Sequence, residues 1–333
     1  MDIKEIFTFR NLYLAYHKAR LGKRHKKDVI LFEQDALSSL AKLEEEILSG
    51  KYRIETYHHF TIYEPKEREI DSIPFRDRIV QHCLVDNYLY PLLERHLIYD
   101  NAACRKGKGT DFARKRLIHF MTSSYQQYGT KSYGLKFDIH HYFESIDHAV
   151  LKERLRRLVK EDDVYSFLSM VIDSFHGESG KGLPLGNETS QAFGLFCLDP
   201  VDRLIKDKFY MGYYVRYMDD GVVISDDRER LKELLVAIEE KLEDLSLEIS
   251  PKKTFIAPIR EGISFLGFRY TYGENGKIYR KVLKKTKRKI RKLLKDGIKP
   301  QQKASYLGYL KRSSDNSLRK NVKRTAKRQQ RRQ

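Results

Sequence analysis

The amino-acid sequence predicts an α+β fold in which a small antiparallel sheet is packed against helices. Helical and strand patterns mix along the 333 residues without a regular strand–helix–strand alternation. Two short strand patterns, 213–217 and 221–225, flank an acidic pair and predict a hairpin. The clearest helix covers 227–245, because its leucines and isoleucines fall on one stripe of a helical surface.

The other elements follow from periodicity and from start and stop signals, taken in chain order. The alternation of Leu135 and Phe137 with Lys136 and Asp138 predicts a strand whose apolar and charged residues lie on opposite faces. Asp147 is typical of an N-cap before a leucine-bearing helix. The further predicted segments are helices over 28–48, 76–93 and 284–294 and strands over 52–63, 133–139 and 264–270.

Composition excludes several classes of protein. Hydrophobic residues make up 41% and charged residues 33% of the chain, as in a globular protein with a charged surface. The longest apolar runs are too short to span a bilayer, and the N-terminus lacks a signal-peptide pattern, so no membrane partner is expected. Three isolated cysteines predict neither disulfides nor a zinc site and favour a reducing, cytoplasmic compartment.

Positive charge is concentrated at the C-terminal end. The segment from 277 to 333 holds 23 Lys and Arg against Asp296 and Asp315, which gives it a net charge of +21. The first 276 residues carry −2. Such segregation is typical of a surface that binds a polyanion. A solvated tail is the alternative for the last dozen residues, whereas apolar residues between the cations of 284–294 favour a folded helix.

Three carboxylates are the candidate catalytic residues. Asp219 and Asp220 stand at the tip of the predicted hairpin, where two adjacent acids repel each other unless a cation neutralises them. Asp138 ends another predicted strand. If both strands belong to one sheet, the three carboxylates converge and supply oxygen ligands for two Mg²⁺ about 3.5–4 Å apart. An ordinary acidic turn is the alternative interpretation of the pair alone.

Four motifs in order give the chain a resemblance to the reverse transcriptases, especially the bacterial, group II intron-like branch. They are the strand around Asp138, the segment 182–191 (Gly-Leu-Pro-Leu-Gly-Asn-Glu-Thr-Ser-Gln), the Tyr-Met-Asp-Asp of 217–220, and Phe-Leu-Gly-Phe at 265–268. The resemblance covers roughly residues 60–310. It implies a right-hand polymerase, with fingers and palm over 1–275 and a basic helical thumb and tail over 276–333. The palm would carry the small antiparallel sheet.

The resemblance also implies roles for single residues. Asp138 and Asp219 would bind two Mg²⁺, for which Mn²⁺ is an expected substitute, with Asp220 completing the acidic cluster and Ile139 as a further metal-binding position. Phe143 would exclude a 2′-hydroxyl and so select deoxynucleotides, unless it is simply a core residue. The other expected nucleotide-binding residues are Lys66, Arg68, Arg78, Leu185, Gly186 and Gln191. A solvated charged hairpin is the alternative for the first two.

Nucleic acid is expected to contact two basic segments. The glycine-bearing loop 105–110 would hold template or primer phosphates, although its glycines are equally explained by a tight turn. The predicted helix 284–294 would follow the template–primer duplex through phosphate and shape contacts. The expected contact residues are Arg105, Lys106, Lys108, Lys284, Lys285, Lys287, Arg288 and Arg291.

One departure from the common pattern indicates a subgroup. Most reverse transcriptases have Gln-Gly-x-x-x-Ser-Pro in the third motif, whereas this chain has Leu185 in place of the first Gln and Gln191 in place of the Pro. This text is similar to that of diversity-generating retroelements, in which a template-repeat RNA is copied into cDNA with errors at adenines during mutagenic retrohoming. That group implies a bacterial, archaeal or phage source and a small basic accessory protein that forms a ring.

Alternatives remain open at this stage. A defence-associated or retron-like reverse transcriptase would share the acidic cluster and differ in its template. A group II intron maturase is disfavoured because little sequence follows the expected thumb. A catalytically inactive RNA-binding protein with a polymerase fold is the alternative from another class, and the presence of all three carboxylates disfavours it.

Overall fold

A computed structural model of the chain describes residues 1–63, 68–175 and 180–330. The chain forms two compact units whose segments alternate along the sequence. The first unit comprises Met1–Tyr99, Ile139–Leu204 and Ile238–Ile249. The second unit comprises Asp100–Asp138, Ile205–Ala237 and the described chain from Ser250 onward.

Helices and short strands both contribute to the fold, as an α+β class requires. The helices are α1 Ile3–Ile6, α2 Phe9–Ala19, α3 Lys27–Gln34, α4 Ala36–Leu48, α5 Phe75–Leu84, α6 Tyr90–Glu94, α7 Thr110–Tyr128, α8 Tyr142–Ser145, α9 His148–Leu158, α10 Asp162–Asp173, α11 Glu188–Cys197, α12 Asp199–Arg203, α13 Arg228–Glu243, α14 Lys284–Asp296, α15 Pro300–Lys311 and α16 Asn316–Gln330. The strands are β1 His58–Ile62, β2 Arg68–Ser72, β3 Tyr133–Phe137, β4 Tyr214–Tyr217, β5 Asp220–Ser225, β6 Phe255–Pro258, β7 Ile263–Phe265, β8 Phe268–Tyr272 and β9 Ile278–Val282.

The described strands pair only antiparallel. The first unit has the β1–β2 hairpin, and the second unit has a sheet of order β4-β5-β3-β6 and a sheet of order β7-β8-β9. This arrangement confirms the α+β class and the small antiparallel sheet predicted from the sequence. The non-consecutive neighbours β5 and β3 matter most, because they bring two distant segments of the chain side by side.

Several elements agree closely with their predicted bounds. The hairpin of β4 and β5 forms around residues 218 and 219, and α13 covers most of 227–245. Asp147 caps α9 as predicted, because its side chain accepts hydrogen bonds from the main-chain N–H groups of Ala149 and Val150. The predicted helix 76–93 exists as α5 and α6, which are joined by a π-helical turn over Val85–Leu89.

Three predicted elements were wrong in extent. The helix 28–48 is two helices, because the backbone of Asp35 leaves the helical region (φ −140°, ψ 55°) between α3 and α4. The strand predicted over 52–63 begins only at His58. The strand predicted over 264–270 is a hairpin of β7 and β8, since Leu266 and Gly267 both have positive φ, as a two-residue hairpin turn demands.

The second unit has a continuous core to which segments from three parts of the chain contribute. Helix α7 packs against β4 and β5 through Leu117, Phe120 and Met121. Phe268 of β8 stacks on Tyr309 of α15, with ring centroids 4.6 Å apart. The sheet of order β4-β5-β3-β6 and the basic C-terminal helices therefore share one apolar cluster. No helix among the described residues is long and apolar enough to cross a membrane.

Candidate active site

Strand register brings the predicted carboxylates to one end of the second unit's sheet. Phe137, the last residue of β3, lies opposite Gly221, so Asp138 directly follows β3 at the same end of the sheet where Asp220 begins β5. Tyr217 pairs with Asp220, which leaves Met218 and Asp219 as a two-residue turn. Cross-strand neighbours of this kind have Cβ atoms about 4.5–5.5 Å apart. The structure thus gathers residues separated by more than 80 positions in the chain.

A glycine allows this close approach of the strands. A Cβ atom built on Gly221 would lie 2.2 Å from Cζ of Phe137, whose ring is fully buried. A side chain at this position would therefore have to displace the ring or separate the strands. Gly221 directly follows the acidic pair. The packing of Phe137 against Gly221 therefore also fixes the position of Asp220 along β5.

A buried arginine, Arg216, hydrogen-bonds to the turn formed by Met218 and Asp219. The side chain of Arg216 is completely buried, and its Nη1 donates to the carbonyl oxygen of Met218 at 2.8 Å. Met218 has φ +55°, a conformation that costs energy for a non-glycine residue. Arg216 also exchanges main-chain hydrogen bonds with Asp100 and Ala102. The sequence interpretation missed this residue, although a charged residue inside an apolar strand pattern is a usable signal.

Two lysines contact the carboxylates. Nζ of Lys136 lies 2.5 Å from Oδ1 of Asp220, and Nζ of Lys253 lies 2.5 Å from Oδ1 of Asp138. Neither lysine was predicted as a site residue. Lys136 was correctly predicted to share a face with Asp138, but that alternation said nothing of its partner. Lys253 comes from a segment 115 residues away, which only the folded chain brings near.

The pKa values of two of the acids, Asp219 and Asp220, are raised above those of isolated carboxyl groups. Burial raises the pKa of Asp219, and the negative charge of Asp138 raises it further. Burial also raises the pKa of Asp220 to about 6, and the charges of Asp138 and Asp219 add to this while Lys136 opposes it. Carboxylates that repel one another in this way are stabilised by a bound cation.

The donor set is chemically suited to a hard divalent ion. Carboxylate oxygens are the preferred ligands of Mg²⁺, which binds through one or two carboxylates and takes its remaining ligands from water and substrate phosphates. Within the described residues, no group of three or more His, Cys, Asp or Glu side chains has an arrangement that could hold a metal ion.

Three of the predicted nucleotide-binding residues line one cavity in the first unit. Arg78, Gly186 and Gln191 border a space of about 170 Å³. Nη2 of Arg78 donates to Oγ of Ser72 at 3.2 Å, and burial lowers the pKa of its guanidinium. Arg68 begins β2 and is exposed, and Lys66 lies outside the described residues.

Phe143 and Leu185 occupy other positions in the same unit. The ring of Phe143 packs against Gly194 of α11, where a Cβ atom would lie 3.1 Å from its Cε1. Its neighbour Tyr142 donates to the carbonyl oxygen of Gly194 at 2.5 Å. The carbonyl oxygen of Leu185 accepts a hydrogen bond from the main-chain N–H of Asp71 at 3.3 Å. No sequence pattern indicated that Gly194 makes room for the two rings.

The basic loop 105–110 has both structural and exposed cations. Arg105 is buried, and its Nη1 donates to the carbonyl oxygen of Asn101 at 2.8 Å. Lys106 is exposed, and the ammonium of Lys108 lies 5.2 Å from the centroid of the Phe112 ring. Arg105 therefore helps to hold the loop, while Lys106 lies on its exposed surface.

The predicted basic helix exists as α14. Lys284, Lys285, Arg288 and Arg291 are exposed along it, and Ile290 is fully buried in the core of the second unit. Lys287 differs from the others, because its Nζ lies 2.5 Å from Oδ1 of Asp315. One face of the helix is thus anchored to the unit, and the other presents exposed positive charge.

Comparison with solved structures shows which class of fold this is. The chain is similar to apo telomerase from Candida tropicalis truncated from its C-terminal domain, with a TM-score of 0.51 and 13% identity over 68% of this chain and 55% of that one. Apo telomerase from Candida tropicalis matches with a TM-score of 0.48 and 13% identity over 70% and 52%. The chain spans about half the length of these proteins. The architecture is thus that of the telomerase and reverse transcriptase polymerases.

The family assignment follows from the sequence. Residues 65–270, well over half of the chain, match the family described as reverse transcriptase (RNA-dependent DNA polymerase). The chain therefore belongs to the reverse transcriptase family. The matched segment contains the acidic cluster and the candidate nucleotide-binding residues. No curated protein matches the sequence significantly.

Proposed function

We propose that this protein is an RNA-directed DNA polymerase that uses two divalent ions to extend a primer along an RNA template. The observation that carries the proposal is the register of β3 and β5: Phe137 pairs with Gly221, so Asp138, which follows β3, and Asp220, which begins β5, lie at one end of the sheet beside the turn that holds Asp219. Membership of the reverse transcriptase family supports the same reaction. Convergent carboxylates on adjoining strands suit a pair of ions.

Different residues of the chain would have different roles in this reaction. Asp138 and Asp219 bind the ions, Asp220 completes the cluster, and Ile139 offers only its main-chain carbonyl oxygen as a further ligand. When bound, Mg²⁺ or Mn²⁺ favours attack of the primer 3′-hydroxyl oxygen on the α-phosphorus and stabilises the pyrophosphate that leaves. Arg68 and Arg78 bind the triphosphate through charge-assisted hydrogen bonds, as does Lys66. Phe143 selects deoxynucleotides.

We further propose that the enzyme belongs to the diversity-generating retroelement group. Leu185 and Gln191 at the third motif support this assignment, because they replace the Gln and Pro of most reverse transcriptases. The template would be a repeat-bearing RNA, the product a cDNA with errors at template adenines, and the partner a small basic protein that forms a ring. A defence-associated or retron-like reverse transcriptase is the alternative within the family, and neighbouring repeats that differ at adenines would exclude it.

Primer extension tests the polymerase proposal directly. With an RNA template, a DNA primer, deoxynucleotides and Mg²⁺, we expect extension by the wild type and a loss of at least about 10³-fold in Asp219→Ala, since electrostatic catalysis is usually the largest single contribution. Asp226→Ala is the matched control, because Asp226 is an exposed acid in the loop that follows β5. A wild type without activity would favour a binding protein, and equal activity of Asp219→Ala would refute the metal assignment.

A further inference from the structure

Lys136 is an unusual residue for the edge of an acidic cluster, because it is buried. It lies on β3 opposite Val222, and its side chain reaches diagonally to Asp220 on the neighbouring strand. Only 10% of the Lys136 side chain is exposed. A buried ammonium requires a compensating charge, and removing one member of a buried pair leaves the other unpaired at high cost. The contact with Asp220 supplies that compensation.

The second lysine at the cluster has a different setting. Lys253 contacts Asp138, but 54% of its side chain is exposed. An exposed ammonium on a flexible four-carbon chain exchanges a carboxylate for water at little cost. Lys253 can therefore leave Asp138 when another cation binds, whereas Lys136 has no equally favourable place outside its pair. Asp219 has no ion-pair partner among the described residues.

We infer that Lys136 and Asp220 form a permanent ion pair that positions the acidic turn, and that Asp138 and Asp219 alone are available as carboxylate ligands for divalent cations. This inference rests on the proposed polymerase function and assigns distinct roles to two adjacent acids. Lys136 is a positioning residue, since it acts through Asp220. The pair fixes the first residue of β5, and the turn that presents Asp219 ends at that residue.

Unfolding without metal tests the pair independently of catalysis. In buffer with chelator, Lys136→Met and Asp220→Asn should each lower the urea midpoint, because each leaves a buried charge alone. The double variant should be at least as stable as the better single variant. Lys232→Met and Glu229→Gln form the control pair, because both side chains of that ion pair are exposed, and their effects should be small and nearly additive. Additive losses at Lys136 and Asp220, or equal coupling at the control pair, would overturn the inference.

Binding of Mn²⁺, followed by its paramagnetic resonance signal, tests the division of roles. We expect Asp219→Asn to weaken binding at least about tenfold and the Lys136→Met/Asp220→Asn double variant to weaken it by no more than about threefold. Equal weakening by both would make Asp220 a principal ligand and overturn the inference. Unchanged binding in Asp219→Asn would instead refute the proposed metal site, so the two failures are distinguishable.

Discussion

At the scale of single residues, the candidate active site depends on how buried charges are compensated. Arg216 and Lys136 are buried cations, and each contacts the acidic turn or its first strand residue. Neither reaches solvent easily, so each has a defined geometry that an exposed side chain would lack. The carboxylates are consequently presented by a rigid setting, which metal-dependent catalysis requires.

Leu185 is the residue where a change of fidelity is expected. Its side chain is apolar, so it cannot hydrogen-bond near a nascent base pair as the Gln of most reverse transcriptases could. In Leu185→Gln, we expect misincorporation at template adenines to fall about fivefold, the factor that one net hydrogen bond corresponds to. Sequencing of cDNA from a defined RNA template measures this rate.

Leu185→Met is the control for that experiment, because it changes the shape of the side chain while keeping it apolar. The hydrogen bond from Asp71 to Leu185 involves the main-chain carbonyl and survives both substitutions. Errors that stay at the wild-type level in Leu185→Gln, or that fall equally in Leu185→Met, would contradict this account of fidelity.

At the scale of elements, the β4–β5 hairpin and its neighbour β3 together carry the candidate active site. The two-residue turn fixes the end of the hairpin, and the contact of Phe137 with Gly221 fixes the spacing of β3 and β5 beside it. Hairpins of this kind depend on residues that tolerate close approach or positive φ. The same principle governs β7 and β8, where Leu266 and Gly267 turn an apparently continuous strand back on itself.

Gly221→Ala should destabilise this element. The added methyl group would overlap the buried ring of Phe137, and overpacking of a core costs about 1–3 kcal/mol. A lower urea midpoint than wild type is the expected result. Gly212→Ala is the control, because a Cβ atom there meets no heavy atom within 4 Å. It should be neutral or slightly stabilising. Equal midpoints for the two variants would show that Phe137 adjusts freely.

At the scale of the whole molecule, charge is distributed very unevenly. The chain has a net charge of +19, and the residues from 277 onward carry more than all of it. Helix α14 keeps Ile290 in the core of the second unit while it presents six exposed cations. A folded basic surface of this kind attracts nucleic acid, and the counterions of the nucleic acid are released on binding.

The affinity for a template–primer duplex should therefore depend steeply on salt. Replacing Lys284, Lys285, Arg288 and Arg291 together by Gln should reduce the slope of log K against log salt by about 3–4, since each phosphate contact contributes about 0.9. Fluorescence anisotropy at several salt concentrations measures the slope. The control replaces exposed lysines elsewhere, namely Lys42, Lys51, Lys160 and Lys232. A shallow wild-type slope, or the same change in both variants, would contradict the assignment of α14.

Local pattern was sufficient for much of this molecule. Strand alternation at 133–138, the hairpin at 214–225, the cap at Asp147 and the helices α13 and α14 were all predictable, because neighbours in the chain determine them. Ordered motifs also indicated the family. Predictions were wrong at Asp35 and at Leu266–Gly267, where the local signal was ambiguous. The backbone dihedral angles of these residues differ from those of the helix or strand on either side.

The sequence by itself determined the reverse transcriptase family and indicated three acids, Asp138, Asp219 and Asp220, as candidate catalytic residues. Only the tertiary structure decided their partners: Lys136 for Asp220 across two strands, and Lys253 for Asp138 across 115 residues. The burial of Arg216, which hydrogen-bonds to the turn, likewise depends on the fold. The physical reason is that periodicity records the direction of a side chain, whereas electrostatic compensation depends on distances between segments that meet only when the chain is folded.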